Sequence, residues 1–389
     1  MIRNSPFATL IAILLLTASG CTRHTENAIR FGGILSLTGA AASYGEDNQR
    51  GIRLAEEIIN ASGGINGKKI AVDIQDDAGD PVQAITIARR YVDDPEVLAI
   101  VGPTRTGSTV SLAKLLPQMN IGMMSVGSTG DWQSAVGEFN DWTFRSTRVD
   151  TPLIEPLLRV ARDDFGVHRI AAIYTADDDW STSVMPVYEK AAHDLNLEFL
   201  AKESQMTNDT DRSAQLTKIK EANPDALIIN TLASSAPLIA DQARRLGIKA
   251  RFIGTAGFAN PSTWSLAQSG TLDGTLVAEN YFPGSSRSAV KVFIDQYKKK
   301  FSSDPPPYSA YAYDGVMLLA EAARHVEGTL DRKTLRTALG KIRNYDGVLG
   351  TLTYNGKGDA EKPAIILQIK NNSYVLLHEA VNANATGQR

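Results

Sequence analysis

Two kinds of apolar spacing alternate along this chain. Short runs around 98–102 and 226–230 are apolar at nearly every position, as strands buried on both faces require. Between them lie amphipathic stretches; Ile52, Ala55 and Ile59 share one helical face that stops at Gly63-Gly64. The spacing predicts strands over 29–37, 70–75, 98–102 and 121–125, separated by helices over 48–61, 81–92 and 108–116. Pro81 opens the second of these helices, where its missing N–H is not needed. After Phe144-Arg145-Ser146 the alternation restarts: helix 151–165, strand 170–174, helix 183–195, strand 198–202, helix 213–221, strand 226–230, helix 236–246 and strand 252–254. A run at 276–279 reads as a strand returning toward the first half, followed by helices over 289–301, 310–325 and 335–342. The runs at 349–354, 364–370 and 374–378 read as a small antiparallel addition. Repeated β-α-β units predict the α/β class, with two doubly wound parallel-sheet lobes.

The chain opens differently. Arg3 is followed by an apolar stretch over 7–16, half the length of roughly 20 residues that a membrane-spanning helix needs, so it reads as the core of a signal peptide. Ala18, Ser19 and Gly20 then lead into Cys21, a pattern that resembles the bacterial lipobox, although leucine is commoner where Ala18 stands. The resemblance implies a signal peptide over 1–20, a lipid on Cys21 and a polar tether over 21–28. Each buried CH₂ of such a lipid contributes about 0.8 kcal/mol to membrane binding. Cys21 is the sole cysteine, which leaves none for a disulfide, a zinc cluster or a nucleophilic thiol.

Removing residues 1–20 from the 389-residue chain leaves 369, too many for one ordinary core and suited to two lobes. The net charge of −3 becomes about −4 without Arg3, and the only basic run, Lys298-Lys299-Lys300, ends a predicted helix, so nucleic acid is excluded as a partner. The five histidines (His24, His168, His193, His325 and His378) are scattered outside the loops that leave strand ends, so no base serves the many hydroxyls and catalysis is not expected. Asp177-Asp178-Asp179 reads as solvated charge, because three consecutive acids on a loop do not face one point; no metal or cofactor is expected.

Ligands of doubly wound sheets sit beyond the carboxyl ends of the strands. The segments leaving those ends here, 38–45, 102–109, 125–132, 174–182, 230–235 and 254–260, are rich in Ser, Thr and Gly, with Tyr44, Trp132 and Trp180 among them. Thr106 to Thr109 open a helix, whose free N–H groups suit a carboxylate, although Ser or Thr at such a place is more often simply a cap.

The order of several motifs carries a resemblance. Leu37-Thr38-Gly39, Tyr44-Gly45, Gly51, Ile65-Asn66-Gly67-Lys68, Asp76-Asp77-Ala78, Asp80-Pro81 and Ile100-Val101-Gly102 follow the opening of the periplasmic leucine/isoleucine/valine (branched-chain amino-acid) binding family. Ser125, Gly127-Ser128-Thr129, Phe144-Arg145, Gln242-Ala243-Arg244 with Gly247, and Tyr313-Asp314-Gly315 extend it over 29–380. The resemblance implies a type I binding protein: lobe one from 29–147 plus 280–346, lobe two from 148–279 plus 347–380, joined by a three-segment hinge, with a tail at 381–389. It further implies a monomer in the periplasm or cell envelope, closing on a small-molecule ligand and delivering it to the permease and ATPase subunits of an ABC importer. A sensor of the same fold that signals to a membrane kinase is the rival reading.

The same resemblance assigns the site. Thr106 falls where the family binds the ligand's carboxylate, Gly127, Ser128 and Thr129 supply backbone and hydroxyl groups, Tyr44 and Trp180 cover the ligand from the two lobes, and Tyr308 closes the far side. The departures concern the second lobe. Ala256 stands where amino-acid binders carry an acid for the ligand's ammonium, and Leu232 or Ala233 replaces an aromatic. A buried ammonium without a counter-charge costs several kcal/mol. Either Asp177, Asp178 or Glu279 substitutes, or the ligand has no α-amine; the latter is slightly favoured, and the expected cargo is a small carboxylate- or amide-bearing solute, amino-acid-like or an aromatic acid.

Overall fold

The computed structural model describes residues 28–132, 141–147, 149–354, 358–359 and 364–381; the leader, Cys21 and residues 382–389 lie outside them. The first half builds β1 (Ile29–Leu35), α1 (Ala42–Ala61), β2 (Ile70–Asp76), α2 (Pro81–Asp93), β3 (Val97–Val101), α3 (Thr106–Ala113), the short α4 (Leu116–Met119), β4 (Gly122–Ser125) and β5 (Thr143–Arg145). Its strands form a parallel sheet in the order β2-β1-β3-β4-β5. The second half builds α5 (Thr151–Phe165), β6 (Arg169–Thr175), α6 (Asp179–Asp194), β7 (Glu198–Gln205), α7 (Ser213–Ala222), β8 (Ala226–Asn230), α8 (Ala236–Arg245), β9 (Arg251–Gly254) and β10 (Leu276–Glu279). The order β7-β6-β8-β9-β10 repeats that of the first sheet.

The chain then returns. Helices α9 (Ser288–Phe301), α10 (Pro307–Arg324) and α11 (Arg332–Gly340) belong to the first lobe, α10 lying along α1. A hairpin of β11 (Tyr345–Gly347) and β12 (Gly350–Leu352) follows, and β13 (Ala364–Lys370) and β14 (Ser373–Val381) add antiparallel to the free edge of β10. The chain thus passes between the sheets after β5, after β10 and after β12.

Burial accounts for the strand sequences. All five residues of β8 are buried, Leu227 and Ile229 in one hydrophobic layer and Ala226 and Ile228 in the other. Each buried Leu or Ile contributes about 1.5–3 kcal/mol, so both faces must stay apolar. Local signals set the helix ends: the Asp80 carboxylate accepts from the Val82 N–H at 2.8 Å, and α5 stops at Gly166, whose φ of +66° is left-handed.

Where structure and sequence reading differ, the differences cluster at the cleft. Helices α1, α6 and α10 start earlier than their apolar periodicity does, at Ala42, Asp179 and Pro307. Tyr44, Thr106, Trp180 and Tyr308 therefore all stand in the first turns of helices. Those turns face the opposite lobe, so they set single residues such as Tyr44, Trp180 and Tyr308 among small and polar ones and carry no helical stripe. The run at 349–354, expected as a strand of the antiparallel tail, pairs instead with β11. It packs on the first lobe: the Asp314 carboxylate accepts from the N–H groups of Val348 (3.0 Å) and Leu349 (2.8 Å), and the Tyr354 hydroxyl donates to the Arg145 carbonyl at 2.8 Å.

Candidate ligand-binding site

Each sheet has a point where neighbouring strands lead to opposite sides, between β1 and β3 in one and between β6 and β8 in the other. A crevice opens at such points. The two crevices face each other here and enclose a cavity lined by Tyr44, Thr104, Arg105, Thr106, Gly127, Thr129, Asp178, Trp180, Leu232, Ala256 and Tyr308.

On the first lobe a hydrogen-bonded lattice fixes the loops. Asp77 accepts from Ser36 Oγ (2.7 Å) and Ser108 Oγ (2.9 Å), tying the end of β1 to the start of α3. Asn48 Nδ2 donates to the carbonyls of Val126 (3.1 Å) and Tyr308 (2.8 Å), and its Oδ1 accepts from Thr104 Oγ1 (3.0 Å), so one side chain sets three lining segments. Thr106 Oγ1 accepts from Ser128 Oγ (3.2 Å) and from the Gly130 N–H (3.3 Å). Arg145 is wholly buried; it donates to the carbonyls of Ser128 (3.2 Å) and Gly130 (3.1 Å), pairs with Asp359 and lies over the Trp132 ring at 4.8 Å. The 128–130 loop is thereby held from behind.

On the second lobe, Asp178 caps α6 by accepting from the Ser181 N–H at 2.8 Å, and Ser181 Oγ donates to the Asn230 carbonyl at 2.6 Å. Trp180 is fixed through its indole, which donates to Asp150 Oδ2 at 2.8 Å. That same oxygen accepts from Thr129 Oγ1 and Thr255 Oγ1, each at 3.0 Å. Asp150 precedes α5, where an acid ordinarily caps the helix, but its side chain makes no cap bond and turns toward the cleft. Asp150 thus places a buried carboxylate behind the cavity wall, within electrostatic reach of the buried Arg145.

The lobes meet. The Tyr44 hydroxyl, pushed far above its ordinary pKa by burial, donates to the Ala256 carbonyl (2.9 Å) and accepts from the Ala233 N–H (2.6 Å). The Tyr44 ring stacks on Tyr308 at 4.2 Å. The remaining cavity is about 20 Å³, room for roughly one water. A bound solute would have to spread these walls.

Of the residues expected to line the site, Tyr44, Thr106, Gly127, Thr129, Trp180, Ala256 and Tyr308 surround one cavity. Ser128 does not line it; its hydroxyl is spent on Thr106 and its carbonyl receives Arg145 and Thr147. Among the acids weighed as substitutes at Ala256, Asp177 turns outward to Thr207. Asp178 lines the cavity but pairs with Arg105. Glu279 is buried beside the Tyr311 hydroxyl and the Asn280 N–H, and burial pushes its carboxyl up to about 7. Asp150, Arg105 and Thr104 were not anticipated. Asp150 has the one readable signal, an acid just before Thr151-Pro152, and that signal points to a cap.

Residues 28–373 match the periplasmic binding protein family. The chain is 28% identical over 357 residues to a Leu/Ile/Val-binding protein homolog of Brucella suis, covering 92% of this chain and 94% of that one. In structure it resembles the substrate-binding protein LivJ of a branched-chain amino-acid transporter from Streptococcus pneumoniae, solved with isoleucine, at a TM-score of 0.82, 25% identity and coverage of 90% and 100%. It also resembles the leucine-binding protein LivK of Thermotoga maritima, at a TM-score of 0.84, 24% identity and coverage of 91% and 99%. Among the described residues, no helix is long and apolar enough to cross a membrane. With two parallel-sheet lobes closed over a hydroxyl- and aromatic-lined cavity, this chain belongs to the periplasmic binding protein family and has its type I fold.

Proposed function

We propose that this chain is the solute-capturing subunit of an ABC importer, tethered to a membrane by a lipid on Cys21, and that its cargo is a small amino-acid-like carboxylate. The observation that carries the reading is the cavity at the facing crevices of both sheets, with the first turn of α3 and the Thr106 hydroxyl on one wall and Trp180 on the other. Free helix N–H groups and hydroxyls suit a carboxylate. The similarity to a transporter's substrate-binding protein solved with isoleucine, and to a leucine-binding protein, supports import over signalling to a kinase. It also supports action as a binder rather than an enzyme.

The ammonium question takes a new form. Ala256 offers no charge, but Asp150 stands directly behind Thr129 and Trp180 and supplies one to the same wall. An amino acid whose ammonium meets the Thr129 side of the cavity is therefore the favoured cargo. An aromatic acid without an amine is the second reading, favoured by Ala256 and the aromatic walls.

Thermal unfolding of the purified protein against free amino acids, their N-acetylated forms, amides and aromatic acids tests both, because a ligand that binds only the folded state raises the melting temperature. Stabilisation by a free amino acid and not by its acetylated form is expected. Equal stabilisation by aromatic acids lacking an amine would move the assignment to the second reading, and no response to any carboxylate or amide would overturn both.

A further inference from the structure

Arg105 is the one residue of the Thr104–Arg105–Thr106 corner with a long charged side chain, and its guanidinium reaches beyond its own lobe. Its stem runs across Gly79, at the place a side chain there would occupy: a Cβ on Gly79 would stand 2.9 Å from Arg105 Cδ. Nη1 reaches the Gly79 carbonyl at 3.4 Å, which steadies the extended arm. Nη2 ends on Asp178 Oδ2, across the cleft. Asp178 is 3% exposed and Arg105 21%. The other Asp178 oxygen caps α6, so the carboxylate is already fixed when the guanidinium arrives.

The adjoining residues bring the lobes closer still. Gly107, in the first turn of α3, faces Asp179, in the first turn of α6; a Cβ on Gly107 would collide with the Asp179 carboxylate. Two helix N-termini, each with positive dipole character, thus meet end to end with acids from one of them between. Without Asp178 and Asp179 that meeting would be repulsive.

We propose that Arg105 and Asp178 form a latch that holds the closed cleft, with the Gly107–Asp179 approach as its seat. Because the two residues belong to different lobes, the pair exists only when the cleft is shut, so its energy goes wholly into closure. In the closed form the pair is shielded at the rim of the cavity; in an open form both groups return to water. The latch therefore favours the closed cleft, and salt weakens it by stabilising the separated charges.

The inference rests on the two lobes closing about a ligand, but its test needs none. The N–H groups of Gly107 and Ser108 in α3 and of Asp179 and Trp180 in α6 have no partners within their helices, whereas that of Ser181 is held by the Asp178 cap, so slow hydrogen exchange at those four reports coverage by the opposite lobe. In the ligand-free full chain, Arg105→Gln and Asp178→Asn, the latter keeping its capping oxygen, should each speed exchange at both helix starts roughly tenfold. The double variant should add little more, and Arg105→Lys should retain part of the protection. Gly107→Ala should open both starts without removing a charge. High salt should speed exchange in the wild type and not in Arg105→Gln. Unchanged exchange in both single variants, a change confined to the mutated residue's own lobe, or simple additivity in the double variant would overturn the latch. Loss of ligand binding with the exchange pattern intact would instead count against capture.

Discussion

The Tyr44 hydroxyl donates to the Ala256 carbonyl across the cleft at 2.9 Å, joining the first turn of α1 to the loop after β9. The second lobe thus contributes main chain, where the resembling family contributes an acid, and one phenol reads it. Tyr44→Phe keeps the stack on Tyr308 and removes both cross-lobe bonds. A hydrogen bond contributes about 0.5–1.5 kcal/mol net, so affinity for the cargo should fall about tenfold, mostly through faster dissociation. Stopped-flow release measures this; an unchanged off-rate would mean the phenol serves folding alone.

Thr106→Ala should weaken binding more than Thr106→Ser. The Thr106 oxygen accepts from the Ser128 hydroxyl and the Gly130 N–H, so deletion leaves buried donors unpaired, at about 1–3 kcal/mol. The alanine variant should lose both affinity and melting temperature, while serine retains most of each. Titration calorimetry and thermal melts on the pair separate the two effects.

Trp180→Ala removes a cavity wall and a donor to Asp150 together. Trp180→Phe keeps the wall and loses the donor. If the ring covers the cargo, phenylalanine should preserve most of the affinity and alanine should cost at least tenfold; equal losses would place the importance in the indole N–H.

Asp150→Asn is nearly isosteric; it removes the charge and keeps one acceptor oxygen for the Thr129, Trp180 and Thr255 donors. It should abolish any preference for a free amino acid over its acetylated form, whereas binding of an amine-free acid should hold or improve. Binding to both ligand types before and after the change decides it.

Asp47 gives a pH signature. It lies in α1, 2% exposed, beside Glu46 and with Arg50 3.6 Å away; the side chain of Asn260 reaches it from the second lobe and Tyr297 from α9. Burial pushes its carboxyl up to about 7, with the Arg50 charge and Asn260 opposing. The folded value is above the unfolded one, so its stabilising contribution is whole below about pH 4 and is lost as pH rises through about 7. A shift of this size is on the order of 4 kcal/mol. Glu279, also pushed up to about 7, acts in the same direction. The melting temperature of Asp47→Asn should therefore gain on the wild type from about pH 5 to about pH 8; a constant gap would place the Asp47 titration elsewhere.

The strands were legible because parallel strands buried on both faces leave a continuous apolar run, as over Ala226–Asn230 and Leu276–Glu279, whose bounds match the sequence reading. The hairpin Tyr345–Gly347 with Gly350–Leu352 was not, since three-residue strands are too short for a period to register. Most of the cavity was reachable through the order of motifs. Asp150 and Arg105 were not, for one reason: each is spent on partners from both sides of the hinge, and local sequence signals such as a cap or a polar loop carry nothing about the other lobe.

Gly51 belongs with those motifs and sits two turns along α1 from Tyr44. A Cβ there would strike the Ser309 carbonyl in α10, one residue after Tyr308. The missing side chain lets the two helices touch, so the two stacked rings ride on a single rigid plate. Widening that plate by one methyl group would tilt both rings at once, and the pocket would be retuned from a position that never meets the cargo.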